Sequence, residues 1–412
     1  MRHRFPCSAS ISLALLTFAH AATAQAPQPG PLPTAVASSA GQVKIERLTT
    51  LEFPWGMAAL PDGRVLITEK PGRLRIWERG RLSEPIQGVP SVVYRRTQFE
   101  QGGLLDVEAD PHFTTNNIIY LSYVEADSQG VLEPELGEQR FGTFVDFTDS
   151  IVRGGAIARA RLDGNQLRDV RVIWRQFPKT GGRGHFALRM VFSPDGKLFV
   201  TSGDRMRFDP AANLRTNLGK VLRINTDGST PTDNPFAGRD TARADIWTYG
   251  HRNILSAAFD PGGRLWVLEM GPLGGDELNL IQRGRNYGWP FVSNGDNYSG
   301  PSIPDHPTRP EFAAPVRTWT PVIAPSGALF YTGRMFAEWR GSALVGGLSS
   351  QSLIRLQFDG DRVSTEERLF VGRRIRDVAQ APDGAILLIV DDRNGELLRL
   401  TPAQANVSRR SP

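Results

Sequence analysis

The chain has 412 residues, of which 48 are Lys or Arg and 43 are Asp or Glu, and its formal net charge is +5. The basic residues are scattered among the acidic ones. Nucleic-acid binding usually needs a concentrated basic stripe, so this class of function is not indicated. The single cysteine, Cys7, excludes an intrachain disulfide framework and a cysteine-based metal site.

The N-terminus has the features of a secretory signal peptide. Two arginines precede an apolar run at residues 11–18, and a small-x-small sequence follows at residues 22–24. The predicted signal peptide covers residues 1–24 and is cleaved before Gln25, which also removes Cys7. The apolar run is too short for a permanent membrane span. We therefore expect a periplasmic protein of a Gram-negative cell, without a membrane-spanning segment.

The segment that follows is predicted to be a flexible linker. Residues 25–41 are mostly Pro, Ala, Ser and Gly, and no charged residue occurs among them. Such a composition favours a flexible chain over a packed one. The folded domain is expected to cover residues 42–402, with an unstructured tail at 403–412.

A turn followed by a run of strand-forming residues recurs six times along the chain. Each copy has Pro in or beside a tight turn and then Val, Ile, Leu or Phe residues, which is the signature of strands joined by short turns. The copies begin at Leu60, Ala109, Ser193, Asp260, Ala324 and Ala381. The sequence therefore predicts an all-β fold, a six-bladed β-propeller of four-stranded antiparallel blades. Two β-sandwich domains are the alternative, which the regular repeats disfavour.

Three long segments rich in Gly, Pro, Asn and Asp separate these repeats, at 125–155, 203–245 and 294–314. Long irregular loops in a compact domain are usually functional or disordered. A propeller brings one end of every blade to a central mouth. We therefore expect most of these loops to surround that mouth, where residues distant in sequence form one site.

Two loops on either side of one predicted hairpin are rich in groups that bind ions. The loop 249–253 ends in Arg252 and Asn253, whose side chains donate several hydrogen bonds. The loop 270–277 combines glycines and Pro272 with two carboxylates, and loops of this kind suit a hard cation such as calcium. The residues alone indicate a cation- or anion-binding pair of loops on a β scaffold.

Three motifs in this region resemble those of a known enzyme family. They are W-x-Y-G-x-R-N at 247–253, E-x-G-P-x-x-x-D-E-x-N at 269–279 and G-x-N-Y-G-W-P at 284–290. In this order they resemble the soluble PQQ-dependent aldose and glucose dehydrogenases, the glucose/sorbosone dehydrogenase family. The similarity extends over residues 48–400. It implies a six-bladed propeller that uses PQQ and calcium to oxidise sugars.

The resemblance also assigns roles to individual polar residues. His185, in a glycine-flanked loop, corresponds to the general base, although a lone histidine is otherwise more often a structural residue. An imidazole that titrates near neutral pH is suited to removing a hydroxyl proton. Arg252 matches an arginine beside the reactive carbonyl of the quinone, where it stabilises developing charge. The implied quinone-binding residues are Gln101, Arg252, Asn253, Arg374 and Arg376.

The chemistry of three of these residues suits a polar, anionic ligand. The amide of Gln101 can both donate to and accept from a sugar hydroxyl or a quinone oxygen; a loop-capping amide is the alternative. Arg374 and Arg376 point to one face if their segment is extended. Two guanidinium groups match the carboxylates of a tricarboxylic quinone, whereas alternating arginines also occur on solvated strands.

Two calcium sites follow from the same resemblance. The backbone carbonyls of Gly271 and Pro272 correspond to ligands of a calcium ion beside the quinone. Glu277 and the carbonyl of Tyr287 correspond to a second, structural calcium site. Carbonyl and carboxylate oxygens are the ligands that calcium prefers.

Several residues depart from the family pattern, and they cluster at the site. Ser349 stands where the family has a lysine, and Gly184 replaces the Asp or Asn that precedes the catalytic histidine. Residues 187–188, Ala and Leu, replace glycines that follow it. These changes remove a positive charge and a partner that orients the histidine. They predict weaker quinone binding or a different sugar.

The predicted function is an exported PQQ- and calcium-dependent oxidoreductase that converts the anomeric hydroxyl of an aldose to a lactone. The sequence contains no haem-attachment motif, so the electrons have to leave to an external acceptor. The alternative is a non-catalytic propeller of the same family that has lost the quinone and binds carbohydrate or protein. A propeller lactonase would need a set of converging carboxylates that the sequence does not reveal. We expect a monomer or a homodimer.

Overall fold

A computed structural model describes residues 30–97, 100–127, 151–298 and 301–403. The predicted signal peptide lies outside these residues, as do most of the predicted tail and most of the predicted loop 125–155. In the part of the chain that is described, no helix is long and apolar enough to cross a membrane.

The described chain is built almost entirely of antiparallel β-strands. In chain order the strands are β1 (Ala35–Ser38), β2 (Gly41–Leu51), β3 (Pro54–Ala59), β4 (Val65–Glu69), β5 (Arg73–Glu78), β6 (Arg81–Leu82), β7 (Leu104–Ala109), β8 (Ile118–Ala126), β9 (Arg153–Asp163), β10 (Gln166–Arg175), β11 (Ala187–Phe192), β12 (Leu198–Ser202), β13 (Lys220–Ile224), β14 (Ile246–Tyr249), β15 (Ile254–Phe259), β16 (Leu265–Glu269), β17 (Asp276–Leu280), β18 (Arg317–Trp319), β19 (Pro325–Phe330), β20 (Ala343–Gly347), β21 (Ser352–Asp359), β22 (Arg362–Phe370), β23 (Ile375–Gln380), β24 (Ile386–Val390) and β25 (Gly395–Pro402). One short helix, α1 (Phe113–Asn116), and 3-10 turns at Asp209–Ala211, His306–Thr308 and Ala337–Trp339 complete the elements.

These strands form six sheets, which confirms the predicted six-bladed β-propeller. Blades 1 to 5 each contain four consecutive strands: β3–β6, β7–β10, β11–β14, β15–β18 and β19–β22. Blade 6 has the order β1-β2-β25-β24-β23, so β2 is its fourth strand and β1 a fifth. The first strands of successive blades contact one another in a closed ring, from β3 through β7, β11, β15, β19 and β23 back to β3.

Blade 6 joins the two ends of the described chain. Strand β2 pairs antiparallel with β25, from Val43 opposite Pro402 to Leu51 opposite Gly395. Strand β1 pairs with β2 in turn, with Val36 opposite Val43. The linker prediction for residues 25–41 is therefore wrong for 35–38. Val36 packs on the apolar cluster between blades 5 and 6, and this burial overrides the uncharged, Pro- and Ser-rich composition of the segment.

Six apolar clusters hold the blades together, one between each pair of neighbours. Leu66 and Leu121, for example, meet between blades 1 and 2, and Trp266 packs with Val345 between blades 4 and 5. The remaining clusters join blades 2 and 3, 3 and 4, 5 and 6, and 6 and 1. Burial of apolar side chains at about 25 cal/mol per Å² is the main stabilising term for such packing, and the ring distributes it over every blade.

The predicted loops are only partly irregular. Residues 203–245 contain β13, the third strand of blade 3, and residues 294–314 contain a 3-10 turn. The prediction of continuous irregular structure at 203–245 is wrong because β13 is short and its flanking Gly, Pro and Asn residues dominate the composition of the segment.

The first strand of every blade has a shift in pairing register. The shifts lie between residues 54 and 57, 104 and 107, 187 and 190, 254 and 256, 325 and 328, and 375 and 377. A β-bulge bends its strand and re-aims side chains, and bulges are common beside active sites. Because the first strands form a ring, the six bulges form a ring as well.

A buried arginine of β11 joins the first strands of five blades. Arg189 Nη1 lies 3.0 Å from Asp106 Oδ1 of β7 and 3.1 Å from Asp377 Oδ2 of β23. Its other N–H groups donate to backbone carbonyls of Leu255 at 3.0 Å, Arg376 at 2.9 Å and Trp55 at 3.4 Å. We refer to Arg189, Asp106 and Asp377 as the axial triad. Its members come from three blades, and its hydrogen bonds reach two more.

Backbone N–H groups complete the coordination of the two carboxylates. Asp106 Oδ2 accepts from Met190 N at 2.8 Å, and Asp377 Oδ2 accepts from Met57 N at 2.9 Å. Burial raises the pKa of Asp106 to about 6 and also raises the pKa of Asp377, whereas Arg189 opposes both shifts. A buried charge is tolerated in a protein core only when it is paired and hydrogen-bonded, and the axial triad meets both conditions.

Two glycines allow the neighbouring strands to approach the triad. A Cβ at Gly327 in β19 would collide with Asp377 Oδ1, and a Cβ at Gly56 in β3 would lie 2.6 Å from Asp106 Oδ1. Gly327 belongs to the repeat that was predicted to begin with a turn at Ala324. That prediction is wrong, because Pro325 and Gly327 lie inside β19 at its bulge. Close packing on Asp377, and not a turn, requires glycine here.

We expect Arg189→Met to lower the free energy of unfolding by about 3–5 kcal/mol, because it leaves two buried carboxylates without a cation. The loss should be smaller near pH 5 than near pH 7.5. In the variant the folded-state pKa values of both carboxyls lie further above their unfolded values. The folded chain then binds more protons than the unfolded chain over that range and gains stability as the pH falls. Urea denaturation at the two pH values measures both effects.

Arg362→Met is the matched control. It removes an ion pair with Asp359 at 2.8 Å in which both side chains are largely exposed, and it should change stability by less than about 1 kcal/mol. An Arg189→Met protein that is as stable as this control would show that the axial triad does not hold the blades together.

Candidate active site

All six blades contribute side chains to a cavity of about 350 Å³ at the end of the ring where the first strands begin. Trp55, Leu255 and Arg376 lie within three of the bulges. The bulges thus turn residues from several strands towards one space. The lining residues are Trp55, Lys70, Glu100, Gln101, Phe186, Ala187, Asn253, Leu255, Met270, Ala324, Leu348, Ser349, Arg374, Arg376 and Asp391.

The structure divides the predicted site residues between this cavity and a neighbouring recess. Gln101, Asn253, Arg374 and Arg376 line the cavity. Arg252 lines the recess together with the four predicted metal ligands, Gly271, Pro272, Glu277 and Tyr287. Met270 borders both spaces. His185 lines neither, but the residues directly after it, Phe186 and Ala187, line the cavity.

The two predicted quinone-binding arginines share one carboxylate. Arg374 Nη2 lies 3.0 Å and Arg376 Nη2 lies 2.8 Å from Asp391 Oδ2. Both side chains therefore reach the same face, as expected for an extended segment. Asp391 is buried, which disfavours its charge, but Arg376, Lys70 and Arg374 hold its pKa well below the usual value. Together, Arg374, Arg376 and Asp391 carry one net positive charge next to the cavity.

Two amides add hydrogen-bonding capacity to the wall. Gln101 Oε1 accepts from the backbone N–H of His185 at 2.9 Å, which ties blade 2 to the histidine loop. Asn253 Oδ1 is buried and has no hydrogen-bond partner among the described residues. A buried polar atom without a partner costs about 1–3 kcal/mol, so Asn253 is a group that a polar ligand would satisfy.

His185 is held by a carboxylate that the sequence analysis did not identify. His185 Nδ1 lies 2.7 Å from Asp204 Oδ1, and Asp204 Oδ2 accepts from Trp289 Nε1 at 2.8 Å. Asp204 follows β12 by two residues and the histidine is buried. The orienting partner that is missing at Gly184 is thus supplied from another strand of the same blade.

The charges around this pair determine which nitrogen of His185 can take up a proton. Burial lowers the pKa of His185, Arg252 lowers it further, and Asp204 opposes both effects. Although burial disfavours the charged form of Asp204, the nearby His185 and Arg252 lower the pKa of that carboxyl. A neutral imidazole beside a carboxylate carries its proton on Nδ1. Nε2 is then the nitrogen that accepts a proton at neutral pH.

The backbone around the histidine is strained. His185, Ala187 and Leu188 have φ angles of 51°, 56° and 69°, and Arg205 and Met206 opposite them have 56° and 58°. Residues other than glycine adopt this left-handed region at a cost, and such residues cluster at functional sites. Glycine adopts this region at little cost, which explains why glycines are expected after the histidine, whereas here Ala187 and Leu188 adopt it.

Arg252 lies between the histidine and the recess. Its backbone N–H donates to Glu269 Oε2 at 2.7 Å, and Nη1 donates to the carbonyls of Met270 at 3.0 Å and Gly271 at 2.7 Å. Its guanidinium carbon lies 5.3 Å from the centre of the Trp289 ring. Nε is buried without a hydrogen-bond partner in the described chain. One donor of this fixed cation therefore stays available to a ligand oxygen.

The recess fits a calcium ion only in part. Its free volume of about 10 Å³ is close to that of a single water molecule or small ion. The Gly271 carbonyl already accepts from Arg252, so a cation there has to share this oxygen with a guanidinium group. Among the described residues no cluster of three or more His, Cys, Asp or Glu side chains is placed to bind a metal. Calcium would depend on backbone carbonyls and on ligand oxygens.

Glu277, a predicted metal ligand, is one of two carboxylates that line the recess, the other being Glu269. Its Oε2 accepts from Asn279 Nδ2 at 3.1 Å, and its Oε1 lies 3.4 Å from His306 Nε2. Burial raises the pKa of Glu277, and His306 opposes the shift. The hydroxyl of Tyr287 is engaged by the Leu280 carbonyl at 2.6 Å. Only the Tyr287 carbonyl therefore remains as its predicted metal ligand.

The cavity fits a tricarboxylic quinone better than the recess fits a metal. Its charged lining consists of three cations and two carboxylates, and one of the carboxylates, Glu100, is paired with buried Arg153 at 3.0 Å. Guanidinium groups recognise carboxylates in two-point hydrogen bonds. Trp55, Phe186 and Asn253 complete the polar, aromatic and cationic lining of the cavity.

Three residues of the site escaped the sequence analysis: Lys70, Asp204 and Asp391. Each follows the second strand of its blade, β4, β12 or β24, within two residues. The repeats beginning at Leu60, Ser193 and Ala381 contain these strands and have these residues at their ends, so the end of each repeat was the available signal. It becomes meaningful only when the strands are known to end at the same mouth.

The fold and the site define a six-bladed β-propeller with a cationic central cavity and a histidine–carboxylate pair beside it. The chain belongs to the glucose/sorbosone dehydrogenase family, whose sequence model matches residues 51–399. This confirms the resemblance of the three motifs.

Relatives with solved structures share this architecture. The aldose sugar dehydrogenase YliI of Escherichia coli is 37% identical over 379 residues, which cover 90% of this chain and 95% of that protein. The apo-form crystal structure of the soluble aldose sugar dehydrogenase from Escherichia coli has a TM-score of 0.77 and 36% identity, covering 88% of this chain and 100% of that chain. The PQQ-bound aldose sugar dehydrogenase from Streptomyces coelicolor has a TM-score of 0.67 and 25% identity, covering 90% and 99%.

Asp204→Asn should lower the pKa of His185 further, because it removes the carboxylate that raises it. Arg252→Gln should raise that pKa, because it removes the cation that lowers it. Histidine ring signals followed by NMR across a pH series measure both shifts, with His185→Ala used to assign the resonance. The same direction of change in the two variants would contradict the described arrangement of charges.

Proposed function

We propose that this protein is a PQQ- and calcium-dependent sugar dehydrogenase that oxidises the anomeric hydroxyl of an aldose to a lactone. The observation that carries the proposal is the Asp204–His185 pair next to a cationic cavity, because it provides a neutral proton acceptor beside a site for an anionic cofactor. Family membership and the names of the aldose sugar dehydrogenases that resemble the chain support the substrate class.

The residues that would hold the quinone come from three sides of the cavity. Arg374 and Arg376 lie on blade 6 and suit its carboxylates, while the amide N–H groups of Asn253 on blade 4 and Gln101 on blade 2 suit its polar oxygens. Arg252 has a free Nε donor in the described chain and would stabilise negative charge on oxygen. The cofactor of the related Streptomyces coelicolor structure is PQQ, which supports the same choice here.

In the proposed reaction the sugar loses a hydride from the anomeric carbon and a proton from its hydroxyl, together two electrons and two protons. A quinone bound in the cavity would supply the acceptor for the hydride. His185 Nε2 accepts the hydroxyl proton as the carbon–oxygen double bond of the lactone forms. Asp204 keeps the imidazole in the tautomer that has its lone pair on Nε2 and stabilises the imidazolium that results. An external electron acceptor takes the two electrons afterwards.

The calcium ion has a supporting role in this proposal. The carbonyls of Gly271 and Pro272 would hold it beside the quinone, and a divalent cation there would polarise an oxygen of the cofactor. Glu277 and the carbonyl of Tyr287, the predicted ligands of the second, structural ion, line the same recess, whose free volume is close to that of one small ion, so the two predicted sites would share it. A group that binds only the folded state stabilises it, so calcium at the second site would raise the melting temperature.

Titration of the purified apo-protein with PQQ, with and without calcium, tests the cofactor assignment. We expect saturable one-to-one binding and reduction of an artificial electron acceptor when an aldose is added. Absence of binding at micromolar quinone would instead favour the alternative, a propeller of the same family that binds carbohydrate or protein without catalysis.

The proposal includes export through residues 1–24 and a mature domain that begins at Gln25. N-terminal sequencing of the protein recovered from the periplasmic fraction of an expressing Gram-negative cell should give Gln25 as the first residue. Recovery of the uncleaved chain from the cytoplasm would contradict export.

His185→Ala should lower kcat by at least ~100-fold, the usual scale for a lost general base, while PQQ affinity stays nearly unchanged. The side chain lies beside the cavity and not in its wall, so its removal spares the binding groups. Steady-state kinetics at saturating quinone and a binding titration separate the two effects.

His112→Ala is the control for this prediction, because His112 is exposed at the start of α1 and its side chain makes no capping hydrogen bond. Its rate should equal that of the unaltered protein. Equal rates for His185→Ala and His112→Ala would remove His185 from the mechanism.

A further inference from the structure

A buried lysine that belongs to none of the recognised motifs lines the cavity. Lys70 directly follows β4 in blade 1, and its side chain is about nine-tenths buried. Its backbone is fixed on both sides, since its N–H donates to the Phe53 carbonyl at 3.0 Å and its carbonyl accepts from Leu104 N at 3.0 Å. Nζ lies 5.2 Å from the centre of the Phe53 ring. The side chain therefore reaches the cavity from a fixed backbone position.

Lys70 and Ser349 occupy corresponding places in the propeller. Ser349 follows β20, the second strand of blade 5, by two residues. Lys70 directly follows β4, the second strand of blade 1. Both residues line the cavity, with Arg374 and Arg376 of blade 6 between the two blades. A charge at either position thus reaches the same ligand space from the two sides of the arginine pair.

The cations of the cavity differ in how far their charge is already compensated. Arg374 and Arg376 both pair with Asp391, and Glu100 pairs with Arg153. Lys70 Nζ makes no hydrogen bond and no ion pair within 4.0 Å to any residue in the described ranges. Asp391 and Glu100 act on it only through longer-range attraction, which partly offsets the effect of burial in lowering its pKa.

A buried ammonium group without a close partner is costly, because charge in a protein interior has to be paired or hydrogen-bonded. A ligand carboxylate would provide both. The serine at position 349 offers only a neutral hydroxyl, so the arginine pair and Lys70 are the groups in this part of the cavity that can compensate an anionic ligand. Of these three cations, Lys70 is the one that has no ion-pair partner within the described ranges, since both arginines pair with Asp391.

We propose that Lys70 is a further cofactor-binding residue, whose ammonium group binds a carboxylate of the quinone from blade 1 and replaces the charge that Ser349 does not supply from blade 5. This inference rests on the proposed PQQ-dependent function. It predicts that Lys70 restores part of the quinone affinity that is lost because position 349 holds a serine in place of the family's lysine.

The test compares Lys70→Met with the unaltered protein by quenching of tryptophan fluorescence on addition of PQQ. Trp55 lines the same cavity and serves as the reporter. Loss of a charge-assisted contact costs roughly 10- to 100-fold in Kd. Methionine keeps most of the length and volume of the lysine stem, so the variant isolates the charge. The affinity of the variant should also respond less to salt, because one fewer cation is screened.

Two further variants make the result specific. Lys70→Arg keeps the charge and should stay within about threefold of the unaltered protein in Kd, since one cation is exchanged for another. Ser349→Lys combined with Lys70→Met returns a cation from the other side of the arginine pair and should recover at least about tenfold in affinity. Lys44→Met is the matched control, because Lys44 lies exposed on β2 in an ion pair with Glu46.

The outcomes distinguish this inference from the function on which it rests. Unaltered protein that binds no PQQ would overturn the proposed function, and with it the role of Lys70. Binding by the unaltered protein together with equal Kd values for Lys70→Met and Lys44→Met would overturn the role of Lys70 alone. So would a weakened Lys70→Met variant whose affinity Ser349→Lys does not improve, because the defect would then be one of local structure. Circular dichroism and urea denaturation of each variant verify the fold.

Discussion

The pairing of Arg189 with two buried aspartates is the interaction on which the cavity depends. The guanidinium group holds the backbone carbonyls of Trp55 and Arg376, and its carbon lies 4.2 Å from the centre of the Trp55 ring. Both of these residues line the cavity. The ion pairs that fix the blades around the axis therefore also fix the floor of the site, and the cost of burying three charges is offset only while all three remain together.

Much of the architecture could be predicted because blade hairpins repeat visibly in sequence. Tight turns with Pro and Gly mark the boundary between the first two strands of most blades, and five of the six predicted repeats begin at or beside such a turn. The sixth, at Ala324, fails since Gly327 serves close packing on Asp377 within a strand. The prediction of a flexible linker fails at residues 35–38 for a related reason. Their pairing with β2 and their packing on blade 5 are tertiary contacts, which local composition does not encode.

The candidate site could be predicted where its residues share one continuous segment. Arg252, Asn253 and Gly271 lie in motifs close together in sequence, and the structure brings them to adjoining spaces. Asp204 and Lys70 stand alone after strands of different blades, so their common location depends on the ring closing. The same dependence on the fold applies at Gly184. The carboxylate that orients His185 is absent there and comes from Asp204, on another part of the blade.

The closure of the ring through β2 and β25 determines when the site can exist. The sheet that presents Arg374, Arg376 and Asp391 is completed by a strand from the beginning of the chain and one from its end. The cationic wall therefore lacks its final partners until residues 395–402 have been synthesised and have paired with β2. Proteins with such distant pairings form them late, after the cost of closing a long loop has been met. A cofactor that needs this wall can bind only after β2 and β25 have paired.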